Sequence, residues 1–291
     1  MAHELTEHQL RSYRDNGFLV LQGQFAPDDV RRMREEADGI LELSINSSLA
    51  NRRKSGRLNI CRVGDGPQVI RRIQPIIDLS LFLTQIGADD RLMKPVESVL
   101  GGEAGLMEEK ITYKQHLPDP VDGIECEAME DRFAVHSDWA YYRDQGYPQN
   151  LVSTAIALDD CTPESGPLRI WPGSHTEHRE HERTEVGRQV LPHLIDLNGG
   201  EDVLLPAGSM IMFHSMLVHA SRPNVSARPR RLLIYSHFLR STGFVVDARN
   251  GPLRLREAPW EWQYQRLKQR GEFKDVFKAP RFDHAAQAAA K

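Results

Sequence analysis

Residues 151–158 read Leu-Val-Ser-Thr-Ala-Ile-Ala-Leu, a short apolar run carrying β-branched side chains, and such a run is strand-like. Leu106–Gln115 (LMEEKITYKQ), Leu168–Trp171, Asp202–Leu205, Ser209–Phe213, Leu217–His219 and Arg231–Leu239 (RLLIYSHFL) share this character. Turn residues divide them at Pro163-Glu164-Ser165-Gly166-Pro167, Pro172-Gly173-Ser174, Asn198-Gly199-Gly200 and Pro206-Ala207-Gly208. Many short strands in one block predict an antiparallel sandwich or barrel.

Upstream of this block the signals are helical. Thr6 with Gln9 fits a capping box, Asn16-Gly17 ends that helix, and Phe18–Leu21 reads as a strand. Pro27-Asp28-Asp29 opens a second helix, whose apolar positions Val30, Met33, Ala37, Ile40 and Leu41 follow helical spacing. A third helix is expected over Asp89–Leu100, ending at Gly101-Gly102. The fold class is therefore mainly β with flanking helices (α+β). No linker interrupts the chain, so one domain is expected: N-terminal helices over about 5–105, a β core over about 106–240 and an extension over 241–291. The tail Ala285–Lys291 reads as a helical end. Leu117–Arg132, Asn46–Arg72 and Glu177–Leu194 are polar, charged stretches expected to act as lids.

Composition narrows the function. No apolar run approaches the ~18 residues of a membrane span, and the N-terminus shows no cationic-then-apolar signal region. A net charge of −4 argues against a nucleic-acid-binding surface. Cys61, Cys126 and Cys161 form no CxxC pair, which points to a reducing, cytoplasmic setting rather than a disulfide framework or a thiolate zinc site. The expected partner is a small molecule, with no nucleic acid and no membrane, bound by a monomer or homodimer.

The 12 histidines carry the chemical argument. In Phe133-Ala134-Val135-His136-Ser137-Asp138, residues i and i+2 of an extended strand share a face. His136 and Asp138 can then offer an imidazole and a carboxylate to one cation. His219 would complete two histidines and one carboxylate, a facial set that leaves coordination positions open and suits non-heme Fe(II). Arg230 follows His219 by 11 residues. A hairpin return would bring its guanidinium beside the metal, where it can clamp a carboxylate. Alternation allows only one of Arg230 and Arg231 into the site. Ser221 shares the face of His219 and can add a hydroxyl.

H-x-D, a distal His and a following Arg resemble the 2-oxoglutarate-dependent Fe(II) dioxygenases. More narrowly, the chain resembles the phytanoyl-CoA dioxygenase superfamily, which includes ectoine hydroxylase. Leu5-Thr6…Tyr13…Asn16-Gly17-Phe18-Leu19-Val20-Leu21 is similar to that family's entry segment. Ala157–Leu168 and Pro172-Gly173-Ser174-His175 match its "aLdd-t-x-x-nGpl…PGSH" signature. The resemblance spans about residues 5–240. It implies a double-stranded β-helix (jelly-roll, cupin-like) core. It also implies Fe(II) held by His136, Asp138 and His219, 2-oxoglutarate bound by Arg230 and Ser221, and O2 as oxidant. Phe133 occupies a place where the ectoine hydroxylase branch contacts the cosubstrate; Thr112 and Thr154, on neighbouring strands, are further candidates. Because Asp138 is present, hydroxylation is favoured over halogenation. The implied reaction oxidises an unactivated C–H bond and releases succinate and CO2. The charges of the expected lids, among them Arg52, Arg53, Lys54, Arg57, Arg62, Arg71 and Arg72, favour a small polar or anionic metabolite or a natural-product intermediate over a fatty acyl chain. The alternative is a non-catalytic jelly-roll binding protein. A zinc hydrolase would leave Arg230 without a role.

Glu108, Lys110, Thr112 and Lys114 alternate along one strand, so they either line the pocket or face solvent. Trp139, Tyr141 and Tyr142 either form a pocket wall or pack the sandwich edge. Glu108, Lys110, Trp139 and Tyr141 are the candidate substrate contacts. His175 is expected to serve its turn rather than catalysis, His214 and His237 to be polar or core positions, and His175–His193 to be a solvated loop or helix rather than a second metal site.

Overall fold

The computed structural model describes residues 3–243 and 260–282. In chain order come α1 (Glu7–Asn16), β1 (Phe18–Leu21), α2 (Pro27–Ala50), β2 (Leu58–Arg62), β3 (Gln68–Ile73), α3 (Leu81–Ile86) and α4 (Asp90–Leu100). Then follow β4 (Ala104–His116), β5 (Glu127–Ala128), β6 (Phe133–His136), α5 (Trp139–Tyr142), β7 (Leu151–Ala157) and β8 (Leu168–Ile170). The chain continues through β9 (His181–Thr184), β10 (Gly187–Val190), β11 (Glu201–Val203), β12 (Met210–His214), β13 (His219–Ser221), β14 (Leu232–Leu239) and α6 (Trp260–Gln269). One sheet has the order β1-β12-β7-β14-β4-β3-β2-β5, a second β11-β8-β13-β6, and β9 and β10 pair as a hairpin. Together they form a double-stranded β-helix.

The large sheet is covered on both faces, which explains the unbroken hydrophobicity of 151–158. Ala155, Ala157, Ile211 and Leu232 pack against Leu168, Ile170 and Val203 of the small sheet. On the other face Ile111, Tyr113, Ile156, Leu233 and Tyr235 meet the apolar stripe of α2 (Met33, Ala37, Ile40, Leu41) and Leu92 and Val96 of α4. Residue i faces the cavity and residue i+1 the helices.

Two turn motifs meet at Gly17. The capping box of α1 forms as expected, and Gly17 closes the helix with φ +81°. A Cβ there would lie 2.4 Å from Nδ1 of His175, so the Pro-Gly-Ser-His turn seats only against glycine. His175 Nε2 lies 3.1 Å from the Arg14 carbonyl, a structural role.

Several expectations need correction. Asn46–Arg72 is not a lid loop: it completes α2 and then supplies β2 and β3, which extend the large sheet. The first hundred residues are therefore not helices alone, since β1, β2 and β3 join the core sheet. The charges of this stretch, expected on a lid, sit in part on β3, where Arg71 is buried. His175–His193 holds the β9–β10 hairpin rather than a solvated loop or helix. α2 runs past Leu41 to Ala50 on buried polar residues, and Asn46 Oδ1 accepts from Val276 and Phe277 at 2.8 and 2.9 Å. The helical reading of Ala285–Lys291 falls outside the described residues. Among those described, no helix is long and apolar enough to cross a membrane. The three cysteines are free.

A buried ion cluster joins α2 to the sheets. Arg231 donates through Nε and Nη2 to the two oxygens of Asp159 (2.8 and 2.9 Å) and through Nη1 to Asp38 (2.7 Å). Burial pushes the Asp159 carboxyl up, but Arg231 outweighs it and the net direction is down. Arg231→Met leaves two buried carboxylates without their shared cation. A loss of about 3–5 kcal/mol is expected, read as a lower urea midpoint with an unchanged m-value.

Candidate metal centre and cosubstrate pocket

The last residue of β6 lies opposite the first of β13: His136 pairs with His219 across the antiparallel ladder. Their rings are 4.3 Å apart, centroid to centroid. Asp138 arrives differently from the extended-strand expectation. The strand stops at His136, and Asp138 has helical angles (φ −58°, ψ −33°) as the cap of α5. The turn still delivers its carboxylate, with Oδ1 3.9 Å from His136 Nε2 and 3.8 Å from His219 Nε2. One donor atom from each residue falls within 4.8 Å of the others, and no other such group of three occurs among the described residues.

Local hydrogen bonds set the donor atoms. His136 Nδ1 lies 2.7 Å from the Ala134 carbonyl and His219 Nδ1 2.9 Å from that of Leu217. A carbonyl only accepts, so each Nδ1 carries the proton and each Nε2 presents a lone pair. Ser153 Oγ donates to Asp138 Oδ2 at 3.1 Å, leaving Oδ1 for a metal. Burial, then the neighbouring His219, presses His136 down to about 3. Burial pushes Asp138 up, but His219, Lys110 and His136 outweigh it, and its carboxyl titrates below the usual range. Neutral imidazoles and an ionised carboxylate are the ligating forms. Two nitrogens and one oxygen on one side of a point fit a ferrous ion with open positions toward the cavity.

Arg230 lies just ahead of β14 and is 2% exposed. Its Nε and Nη2 donate to the Gly166 carbonyl at 3.1 and 2.9 Å, and Nη1 lies 3.4 Å from Thr112 Oγ1. Gly166 has φ +66°, and a Cβ there would come within 2.3 Å of the Arg222 carbonyl, so the glycine of the Ser-Gly-Pro turn is needed for this placement. Arg231 takes the opposite side with Asp159, so alternation selects Arg230. No carboxylate within ion-pair distance of Arg230 appears among the described residues, and the buried Ser221 Oγ has no partner. A buried cation without a counter-charge is costly. A dicarboxylate entering here would satisfy both groups, so the residues present fit 2-oxoglutarate.

Both groups open on one cavity of about 530 Å³ between the sheets. Phe133, Thr112, Glu108, Lys110 and Tyr141 line it, together with His136, Asp138, His219, Ser221 and Arg230. Two candidates do not. Thr154 turns to the helix side and donates to the Tyr235 carbonyl at 3.2 Å, and its neighbour Ala155 faces the cavity instead. Trp139 packs beside Tyr142, Leu151 and Phe238, because α5 replaces the strand on which it would have faced the site. Tyr142 does reach the cavity and donates to Glu108 at 2.7 Å. Lys114 also leaves the expected face: its positive φ of 40° breaks the alternation, and the ammonium bonds the Asp131 and Arg222 carbonyls. Sequence reasoning missed Asn59, Gln74 and Phe213, and the hairpin tip Thr184–Gly187. The alternation of Leu58-Asn59-Ile60 was the available signal for the first.

A two-sheet jelly roll with a facial His-Asp-His set and a buried arginine behind it defines an Fe(II)/2-oxoglutarate-dependent dioxygenase. The phytanoyl-CoA dioxygenase (PhyH) family profile matches residues 13–232, and the chain belongs to that family. Ectoine dioxygenase of Halomonas elongata is 30% identical over 244 residues, covering 78% of this chain and 68% of that protein. L-proline trans-4-hydroxylase of Streptomyces griseoviridis is 24% identical, covering 80% of this chain and 86% of that one. Among solved structures, EctD from S. alaskensis with 2-oxoglutarate and 5-hydroxyectoine superimposes with a TM-score of 0.62 at 22% identity, over 81% of this chain and 77% of that one. The epimerase SnoN, in complex with Fe3+, alpha ketoglutarate and nogalamycin RO, gives 0.62 at 17% identity over 96% of each chain.

The buried histidines set an acid limit on stability. Burial presses His136 to about 3 and His181 and His214 to about 4. Unfolding restores ordinary values near ~6.5, so the unfolded chain binds more protons below that pH. Stability of the metal-free protein is expected to fall as pH drops from about 6.5 toward 4, seen as a lower urea midpoint at pH 5 than at pH 7.

Proposed function

We propose that the chain hydroxylates, or otherwise oxidises, an unactivated C–H bond of a small polar metabolite, with release of succinate and CO2. The observation that carries this reading is the pairing of the facial triad with an arginine whose buried charge is unmatched. His136, Asp138 and His219 would hold Fe(II). Arg230 and Ser221 would fix the distal carboxylate of 2-oxoglutarate, with Thr112 beside them. Bound iron and keto acid supply O2-dependent oxidation, in which 2-oxoglutarate is decarboxylated and one oxygen atom goes to the substrate carbon.

The protein supplies orientation and shelter. The Nδ1–carbonyl bonds keep both rings aimed, and the Ser153 hydroxyl holds the carboxylate. The β9–β10 hairpin roofs the cavity: the Arg188 N–H donates to the Tyr141 hydroxyl at 2.8 Å, and His181 Nε2 accepts the Ser137 N–H at 3.1 Å. Polar groups on the opposite wall, Glu108, Lys110, Gln74 and Asn59, support a polar substrate over an acyl chain. Relatives named for ectoine and L-proline point the same way.

Mixing Fe(II) and 2-oxoglutarate anaerobically should produce the weak visible band of the chelate; a folded, metal-loaded sample without it favours a non-catalytic binding protein. Arg230→Ala should raise the 2-oxoglutarate requirement by roughly 30-fold or more, as expected from ~2–5 kcal/mol for a lost charged contact, with iron affinity little changed. Asp138→Ala should lose both iron binding and succinate formation. A screen in which only long-chain acyl thioesters stimulate succinate release would overturn the polar-substrate assignment.

A further inference from the structure

A β-bulge places two consecutive arginines on one cavity wall. Asn59 pairs with Arg72 and Ile60 with Ile70, so Arg71 is an extra residue on β3 relative to β2. The register between β3 and β4 also shifts between Ile70 and Arg72. On a regular strand neighbours face opposite ways, whereas a bulge re-aims one of them. Here both Arg71 and Arg72 line the cavity.

The charges on this wall are unequally satisfied. Glu108 is matched by Lys110, with further donors in Tyr142 (2.7 Å) and Gln74 (2.9 Å). Arg71 is buried against Phe133, with its guanidinium 4.6 Å from the ring centroid. It donates to the Arg132 carbonyl at 2.6 Å and to Met129 Sδ at 2.9 Å, while its buried Nε has no partner. Arg72 is half-buried, and its guanidinium makes no hydrogen bond or ion pair with any described residue. Across the ladder it faces Asn59 on one side and Thr112 on the other. Glu185 at the hairpin tip also borders the cavity but is exposed and makes no ion pair with it. When Arg230 is occupied by the cosubstrate's distal carboxylate, Arg72 remains as a cavity cation with no ion pair among the described residues, while Arg71, also without an ion pair there, is attracted at longer range by Asp131 and Glu127.

We propose that Arg72, flanked by Asn59 and backed by Arg71, docks an acidic group, a carboxylate or a phosphate, on the molecule that is oxidised. This rests on the dioxygenase reading, which assigns the other free cation, Arg230, to 2-oxoglutarate. A guanidinium offers an oxyanion two parallel donors and so sets the orientation as well as the affinity of the substrate. Anchored on β3, the acidic end lies on the large-sheet wall, while the carbon to be oxidised extends toward the small-sheet edge that carries His136.

The test uses the full chain loaded anaerobically with Fe(II) and saturating 2-oxoglutarate. Sodium acetate and inorganic phosphate are titrated separately, with binding read by calorimetry and the chelate band monitored throughout. At least one anion should bind the wild type, about tenfold more weakly to Arg72→Gln, and with intermediate strength to Arg72→Lys. The 2-oxoglutarate affinity should be equal in all three proteins. Preference for acetate identifies a carboxylate substrate, and preference for phosphate a phosphate ester. The proposal is overturned if neither anion binds the loaded wild type, or if Arg72→Gln binds as tightly as wild type. Arg72→Lys keeps the comparison available should the glutamine variant not fold. Absence of the chelate band in the wild type instead overturns the dioxygenase reading itself, a separate result.

Discussion

Two adjacent guanidiniums separated by strand alternation hold this structure and its site together. Arg231 is bound by Asp159 and Asp38 on the helix side of the large sheet. With that side occupied, the chain's extended geometry sends Arg230 into the cavity, against the Gly166 carbonyl and beside Thr112 and Ser221. The same cluster ties α2 to the sheet through Asp38. A structural ion cluster thus fixes the aim of the arginine proposed to bind the cosubstrate, and a slip of one residue would exchange the two positions.

The metal centre follows from a second registration. Cross-strand pairing brings His136 and His219 together although 82 residues of chain lie between them in the sequence. Each ring is then aimed by a carbonyl two residues earlier in its own chain. Asp138 needs the turn out of β6 and the hydroxyl of Ser153, so one ligand set draws on both sheets. Such a site is rigid because its supports are the strands themselves.

Around these fixed points the cavity is polar on the large-sheet wall and roofed by a hairpin tied to α5 through Tyr141. The polarity comes from β4, whose polar face the sequence leaves open between pocket and solvent, and from β2 and β3, in a stretch expected to be a lid. On β3, irregular pairing places two cations where alternation would allow one. The two histidines of the candidate metal centre are thus placed by cross-strand pairing, whereas Arg71 and Arg72 are placed by a local departure from it.

The sequence by itself determined the elements with strong local signals: the capping box at Thr6, the stripe of α2, the unbroken apolar run of β7, and the glycines of the turns. It also determined the donor types, since H-x-D, a distal histidine and the arginine after it are local chemistry. The tertiary structure alone decided which residues face the cavity. Thr154 and Trp139 were misplaced because a one-residue change of phase, or a turn into a helix, reverses a side chain's direction without altering composition. β2 and β3 were missed because a stretch so rich in arginine reads as a charged lid until its strands pair with the core sheet. Facing depends on partners far away in the chain, and that information exists only once the strands are paired.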